Sequence, residues 1–531
     1  EQVLTLTHPE PNSSWAAELE LSLQGITDFA HRVSVSLNGY RLGVVEFEGM
    51  ERKSQAFSFD QGLLRAGDNR VKLVSEGGET DVSAVDYTRL TYSRKFVAEN
   101  DELLCSVPAQ KKITVHGFSS PNVRVVDVTD PENCVELLGE VVKTPDGFGV
   151  KVGSRPGQGE RVLFAFADSA VKVPSKISTN ARSRWNDASN SADFIIITHR
   201  VFTSAAERLR LLREGEGYQT VVVDVEDVYD EFSYGMKDPA AIRSFLEHAV
   251  STWAKAPRFV VLFGDATFDP RNYLGSGDFD FVPTRLLATN LLTTSSDDWF
   301  VDFQNRAMPE IAIGRLPVRS VEEANRVVDK LAAYQESFGD WRHRAVFVSD
   351  QEDIEAFSFE EASASLQGQL PPSVTGLDLK LGLLPQSSQR AALAEAFNTG
   401  HLLVNYIGHG STGFWTKKGV FDVNDAAALT NGDRLPIVVA LNCLNGMFDD
   451  IYSESLAEAL LKSAGGGAVA VLASSALTDP SGQSALAQNF YSQLFEGKTL
   501  GEALAAAKVG ITDQDVRQTF FLFGDPTLRL R

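Results

Sequence analysis

The stretch Val404-Asn-Tyr-Ile-Gly-His409-Gly-Ser-Thr-Gly-Phe-Trp415, followed by Pro436-Ile-Val-Val-Ala-Leu-Asn-Cys443-Leu-Asn-Gly-Met-Phe-Asp-Asp450, decides the fold. Its two halves have the same form. A short apolar run, Leu402 to Ile407 or Ile437 to Leu441, reads as a buried strand. Each run stops in a glycine-containing loop, with a reactive residue where the strand ends. Ligands bind outside the carboxyl ends of the strands in an open parallel sheet, so two neighbouring strands would deliver an imidazole and a thiol to one edge. A thiol at its ordinary pKa is mostly protonated; a nearby imidazole takes the proton or stabilises the thiolate. Gly408 and Gly410 allow close approach of backbone to a substrate, and the N–H groups of Gly410 and Cys443 are candidate donors to a developing oxyanion. A core cysteine and a buried histidine that merely end strands are the bland alternative. The paired Gly-His-Gly and Asn-Cys-x-Asn-Gly strand ends outweigh it.

Outward from this stretch, a strand-then-helix rhythm runs from Asp193. Phe194-Ile-Ile-Ile-Thr, Thr220-Val-Val-Val-Asp-Val and Phe259-Val-Val-Leu-Phe-Gly-Asp265 read as buried strands, and Asp238-Pro-Ala-Ala-Ile opens a helix with an Asp cap and Pro in its first turn. Such alternation gives a parallel α/β sheet. Glu310-Ile-Ala-Ile-Gly-Arg-Leu-Pro is expected as an edge strand. Ser320 to Gln335 has Ala324, Val327, Val328, Leu331 and Tyr334 on one helical face. Arg344 to Asp350 and Ala468 to Ser474 add further strands, and Ser455-Leu-Ala-Glu458 is a capping box after the cysteine loop. Asp265, Asp269, Asp278 and Asp280, with Asp297-Asp298 further on, form a carboxylate-rich region that either is solvated or binds structural calcium. No calcium-loop spacing is met, and no metal ligand is assigned.

Tyr406-Ile-Gly-His409-Gly-Ser followed by Asn442-Cys443-Leu-Asn-Gly-Met-Phe resembles the catalytic signature of gingipain-type cysteine peptidases. The resemblance extends from about Asp193 to Arg531 and includes Pro309-Glu-Ile-Ala-Ile-Gly-Arg-Leu-Pro, Gly466-Gly-Ala-Val-Ala-Val-Leu-Ala-Ser and Phe523-Gly-Asp-Pro-Thr-Leu. It implies a caspase-like α/β endopeptidase with His409 as general base, Cys443 as nucleophile and Gly410 helping to form the oxyanion hole. It also implies an acid at the histidine: Asp350 ends a strand of the same sub-sheet and is the expected candidate, with Glu352 and Asp353 close by. An extracytoplasmic protein or peptide hydrolase follows, with no cofactor required. Two rivals stand beside it, a sortase-like member of the same family that passes the acyl group to an amine, and a non-enzymatic binding protein on a decayed peptidase fold.

The half before Asp193 differs. Residues 1–98 carry short alternating strands with turn punctuation, including the hairpin signal Asn38-Gly39, and read as a β-sandwich or jelly-roll-like domain. Residues 99–172 read as a second small β unit, with His116 on a strand. Residues 173–192, rich in Ser, Asn, Lys and Arg, read as a linker, and Lys176, Arg182 and Arg184 make it a candidate processing site. The expected fold is therefore multidomain: an all-β N-terminal region, then a caspase-like α/β domain with parallel sheets in two subdomains, 193–340 and 341–531.

Bulk properties bound the reading. The chain has 531 residues, room for three or four domains, and 43% of them are hydrophobic, enough for sizeable cores. Its net charge of −22 argues against nucleic acid or an anionic membrane as partner. No apolar run reaches the length of a membrane span. The opening Glu1-Gln-Val-Leu-Thr-Leu, without initiator Met or signal peptide, is what a mature or trimmed chain would look like. Three cysteines, Cys105, Cys134 and Cys443, leave at least one free thiol, and pairing of Cys105 with Cys134 stays open.

Overall fold

A computed structural model describes residues 1–174, 177 and 179–530. The chain forms two units, Glu1–Asn180 and Ala181–Arg531.

In the first unit, alternation of apolar and polar residues builds two β regions with separate cores. Gln2–Leu6, Gly67–Ser75, Ala30–Leu37 and Tyr40–Glu48 pair in that order, and Arg52–Phe59, Ala17–Gly25 and Ser83–Thr91 form a second sheet. Leu19, Leu21, Val33, Val35 and Val71 fill the core they share. Asn38 and Gly39 have φ of 52° and 88°, the mirror-type turn that Asn-Gly selects. The second region, 102–167, packs Val107, Phe118, Val125, Val150 and Leu163 in its own core. His116 is exposed on its surface. Cys105 and Cys134 are free thiols, the first pushed up to about 11 by burial.

A buried charge pair sits in the first core. His31 Nδ1 lies 2.7 Å from Asp81 Oδ1, and Nε2 lies 3.0 Å from Thr27 O and 2.9 Å from Gly49 O. Both ring nitrogens meet only acceptors, so both carry protons. Burial opposes that charge, but Asp81 and the two carbonyls raise the His31 pKa above its ordinary value; Asp81 is held below the usual range by His31 and backbone N–H groups, again against burial. The raised histidine stabilises below its unfolded pKa and loses that contribution as pH rises through its folded value. The depressed aspartate stabilises above its unfolded pKa and loses its share as pH falls through its own. The first unit is therefore expected to be most stable between the two. Asp81→Asn is expected to cost about 3–5 kcal/mol in that window, as for other broken buried pairs. Urea unfolding read by hydrogen exchange of these strands, at about pH 5 and about pH 9, checks both; equal wild-type stability at the two pH values would contradict it.

The expected linker at 173–192 is only partly one. Lys176 lies outside the described residues. From Ser183 the chain is folded onto the second unit: the Glu231 carboxylate accepts from the Ser183 hydroxyl, Trp185 N–H and Asn186 N–H, and the Trp185 ring stacks 6.2 Å from that of Trp253. Arg182 and Arg184 are both exposed, but the Arg184 carbonyl is held, accepting from Asp187 N–H and the Asn190 side chain. Trypsin added to native protein is expected to cut after Arg182 well before Arg184, read by intact mass; a first cut after Arg184 would show that this anchoring is weak.

The second unit is built on one ten-stranded sheet. In chain order its strands are β1 (Phe194–Thr198), β2 (Thr220–Asp224), β3 (Phe259–Phe263), β4 (Ala312–Leu316), β5 (Arg344–Ser349), β6 (Thr375–Lys380), β7 (Leu403–Ile407), β8 (Ile437–Leu441), β9 (Ala470–Ser474) and β10 (Phe520–Phe523). Their spatial order is β2-β1-β3-β4-β10-β9-β8-β7-β5-β6. Every pairing is parallel except β9 with β10. The sequence carries this directly. The strands β3, β8 and β10 are apolar at every position, and β1, β7 and β9 at all but one, because both faces are covered. In β1, Phe194 and Ile196 enter the core on one face while Ile195 and Ile197 enter the core on the other.

Two expectations need correction here. The parallel sheets expected in two subdomains are halves of one sheet running in opposite directions, and β10, from the end of the chain, completes the first half. Gly314-Arg315 does not lie on an edge strand: β4 is buried between β3 and β10. The charge of Arg315 misleads the sequence reading, because Asp297 pairs with it and the Gly264, Val282 and Pro283 carbonyls accept its remaining N–H groups.

Several acids of the carboxylate-rich region have partners within the protein. Asp265 pairs with Arg319, Asp280 with Lys237 and Asp298 with Lys508. Asp269 accepts Tyr273 and Leu274 N–H. Among the described residues no three Asp, Glu, His or Cys gather into a metal-binding group. No helix among them is long and apolar enough to cross a membrane.

Candidate active site

The strands β7 and β8 are neighbours in parallel register, Ile407 opposite Leu441. His409 and Cys443 each follow two residues after that pair, so both emerge at the same edge of the sheet. Leu444, next to the thiol, has φ of 64°, uncommon for a residue with a Cβ, and its N–H is held by Ala476 O at 3.1 Å. This turn lifts Cys443 out of the strand line.

The glycines around His409 have a spatial reason. Neither has a positive φ. A Cβ at Gly408 would run into Asp350 and the Tyr406 hydroxyl, and one at Gly410 into the Asn442 amide. Gly410 thus brings the histidine loop directly against the residue preceding Cys443.

The imidazole is oriented by Asp353. Its Nε2 lies 2.7 Å from Asp353 Oδ1, and the ring meets Phe359 edge-on at 5.4 Å. Asp353 also pairs with Lys417 at 2.8 Å. Burial works against its charge, but Lys417 and His409 hold this carboxyl below the usual range. An ionised carboxylate only accepts, so Nε2 carries the proton and Nδ1 is the basic nitrogen.

The expectation that Asp350 would touch the ring is corrected. Asp350 follows β5 directly, and its short side chain reaches only the neighbouring strand end. Its carboxylate accepts the backbone N–H of His409 at 3.0 Å and lies 3.2 Å from the Tyr406 hydroxyl. That hydroxyl in turn lies 2.6 Å from the His409 carbonyl oxygen. Asp350 therefore fixes the main chain of His409, and the ring, lying further out, is met by a residue three positions on.

The thiol of Cys443 makes its hydrogen bond to Thr478 O at 3.6 Å rather than to His409. Burial pushes its pKa up and the charge of Asp479 adds to this, against hydrogen bonds to Thr478 that hold it down. Burial thus favours the protonated thiol over the thiolate at Cys443. Beside it opens a cleft of about 490 Å³ lined by Asn290, Leu291, Leu477, Asp479, Asp513 and Asp515, among others. Its three carboxylates have backbone partners, Ser481, Val516 and Asn290 N–H respectively, and among the described residues no cationic side chain lines it. Sequence reading missed all three, because they sit at the starts of two helices between β9 and β10 with no shared motif.

Comparison with known proteins places this geometry. The family model for peptidase family C25 matches residues 187–531. Gingipain R2 of Porphyromonas gingivalis is 25% identical over 242 residues, 42% of this chain and 33% of gingipain R2. Gingipain R1 of the same organism is 25% identical over 242 residues, covering 42% and 24%. The chain thus spans a third or less of the length of these relatives. Among solved structures, the Arg-specific cysteine proteinase gingipain R (RgpB) superposes with a TM-score of 0.54 at 21% identity, over 66% of this chain and 80% of its own. Dimeric latent PorU from Porphyromonas gingivalis superposes with a TM-score of 0.55 at 16% identity, over 100% of this chain and 49% of its own.

Proposed function

The chain belongs to peptidase family C25, a family of cysteine peptidases, and on that premise we propose that it is an extracytoplasmic cysteine endopeptidase acting through an acyl-enzyme on Cys443. The observation that carries the proposal is the delivery of His409 and Cys443 to one sheet edge by two strands in register. In this mechanism Nδ1 of His409 takes the thiol proton as Cys443 Sγ attacks the scissile carbonyl. The amides of Gly410 and Cys443 donate to the oxyanion. The C–N bond breaks as the imidazolium returns the proton to the departing amine. A water, deprotonated by the same imidazole, then cleaves the thioester and frees the thiol.

Asp353 keeps the imidazole in the required tautomer and stabilises the imidazolium. Asp353→Asn is expected to lower kcat about 100-fold, less than for a fully buried triad acid because this carboxylate is partly exposed. Asp350→Asn is expected instead to lower stability by about 1–3 kcal/mol, since it weakens the hold on a buried backbone N–H. Peptide turnover and thermal unfolding of the two variants distinguish the roles; the reverse pattern would exchange them.

The acid-walled cleft beside the thiol also suits the ammonium group of an amine acceptor, and this favours acyl transfer as the second reading. Product analysis with added amine separates it from hydrolysis. The first test of the dyad itself is alkylation. Iodoacetamide is expected to label Cys443 of native protein ahead of Cys105 and Cys134, and His409→Ala to slow that labelling. Labelling that is no faster at Cys443, or indifferent to His409, would defeat the proposal.

A further inference from the structure

His409 and Cys443 stand on separate loops, and a covalent step requires those loops to hold a fixed spacing. One buried side chain joins them. Asn445 is 1% exposed. Its Nδ2 donates to Ser411 O at 2.5 Å and to Phe414 O at 3.3 Å, and its Oδ1 accepts from Trp415 Nε1 and from Asn442 Nδ2, both at 2.7 Å. Ser411, Phe414 and Trp415 form the short hairpin that follows His409. Asn442 and Asn445 bracket Cys443. Both donors and both acceptor positions of the amide are therefore used, three of the four bonds on the histidine side and one on the cysteine side.

The connection continues to the histidine. The ring of Trp415 lies flat on that of Tyr406, 4.3 Å between centroids and 5° between planes. The Tyr406 hydroxyl accepts Thr416 N–H at 3.1 Å and lies beside the His409 carbonyl. On the other side, Asn445 is anchored in the cysteine loop, where its carbonyl accepts Ala457 N–H at 3.1 Å. Only an asparagine fits this position. Aspartate has the shape but no donors, so it would face two carbonyl oxygens; leucine has the volume but leaves four polar groups unpaired; glutamine is a methylene too long for a packed site.

We propose that Asn445 is a positioning residue that sets the spacing between His409 and Cys443. This rests on the reading of those two residues as the reacting pair. A residue that merely stabilised the fold would leave the coupling between thiol and imidazole intact in any variant that still folds, whereas a positioning residue sets that coupling. Misplacing reacting groups by about 1 Å costs on the order of 100-fold in rate.

The test is a double-mutant cycle on the full chain, reading both peptide turnover and the rate of Cys443 alkylation by iodoacetamide. Asn445→Asp is expected to lower kcat about 100-fold with KM changed by less than about threefold. In the wild-type background His409→Ala slows alkylation; in the Asn445→Asp background it is expected to have no further effect. Trp415→Phe keeps the ring on Tyr406 and removes one bond of the four, and a smaller loss of the same coupling is expected. Thermal unfolding establishes that each variant is folded, and Trp415→Phe decides the matter if Asn445→Asp is not. Wild-type coupling persisting in folded Asn445→Asp or Trp415→Phe would overturn the proposal. So would failure of both variants to fold, since the amide would then serve the fold alone. An alkylation rate indifferent to His409 in the wild type would overturn the dyad reading itself, and it shows before Asn445 is altered.

Discussion

Replacement of Cys443 by alanine is expected to lower peptide turnover by about 10⁴-fold or more, with the chain folded and its substrate still bound. That factor corresponds to about 5 kcal/mol of barrier, more than any rim contact supplies. The reason is specific to this site. A resting thiol whose pKa is raised by burial and by Asp479 is inert without a base. The raised pKa also makes the step depend on His409 at neutral pH. His409→Ala is therefore expected to fall nearly as far as Cys443→Ala, and the double variant no further, because the two groups act as one unit. Thermal unfolding is expected to move little in either, since neither side chain bonds a group that would be left buried and charged. Turnover surviving in Cys443→Ala would remove the nucleophile from the account.

The second large effect concerns which peptides the proposed activity would favour. The cleft beside Cys443 presents Asp479, Asp513 and Asp515 and, among the described residues, no lining cation. A peptide with arginine or lysine before the scissile bond is expected to be cleaved with kcat/KM about 100-fold above one with a neutral isostere, as a charge-assisted contact in a partly desolvated site allows. Asp479 stands next to Thr478, the hydrogen-bond partner of the thiol. Asp479→Asn is therefore expected to erase most of that preference, while the asparagine still caps the helix that Asp479 now opens. The preference has a pH sign. Burial raises the pKa of Asp515 and the charge of Asp513 adds to this. Asp515 thus takes up a proton at a higher pH than an ordinary aspartate, and the preference is expected to weaken as pH falls through that value. A cleavage profile over a peptide library, repeated with Asp479→Asn and at two pH values, checks this. Equal cleavage after neutral and basic residues would mean that the cleft does not hold that side chain.

How much of this was legible in the sequence depends on where each partner lies along the chain. The strands of the second unit announce themselves because both faces of the sheet are covered and nearly every position is apolar. His409 and Cys443 are legible because each ends such a strand in a glycine-bearing turn. Asp353 was not separable from Asp350, since the loop that carries both has no periodicity and the decision turns on how far a side chain reaches past the strand end. Asn445 lies within the cysteine motif, but its four partners lie up to 34 residues away, and only the folded hairpin brings them together. The same holds for Arg315. A charged residue reads as an edge until Asp297, from a distant loop, is seen to neutralise it. The three acids of the cleft come from the starts of two helices that sequence order keeps apart. Long-range pairing of polar groups is what local pattern leaves unread.

The most direct measurement is interception of the acyl-enzyme. Native chain is mixed with a peptide ester ending in arginine, quenched in acid within the first turnover, and mapped by mass spectrometry. The account predicts one added acyl mass, carried as a thioester on Cys443, formed much more slowly in His409→Ala and absent in Cys443→Ala. Product release with no adduct on any cysteine, or an adduct on Cys105 or Cys134 instead, would contradict it.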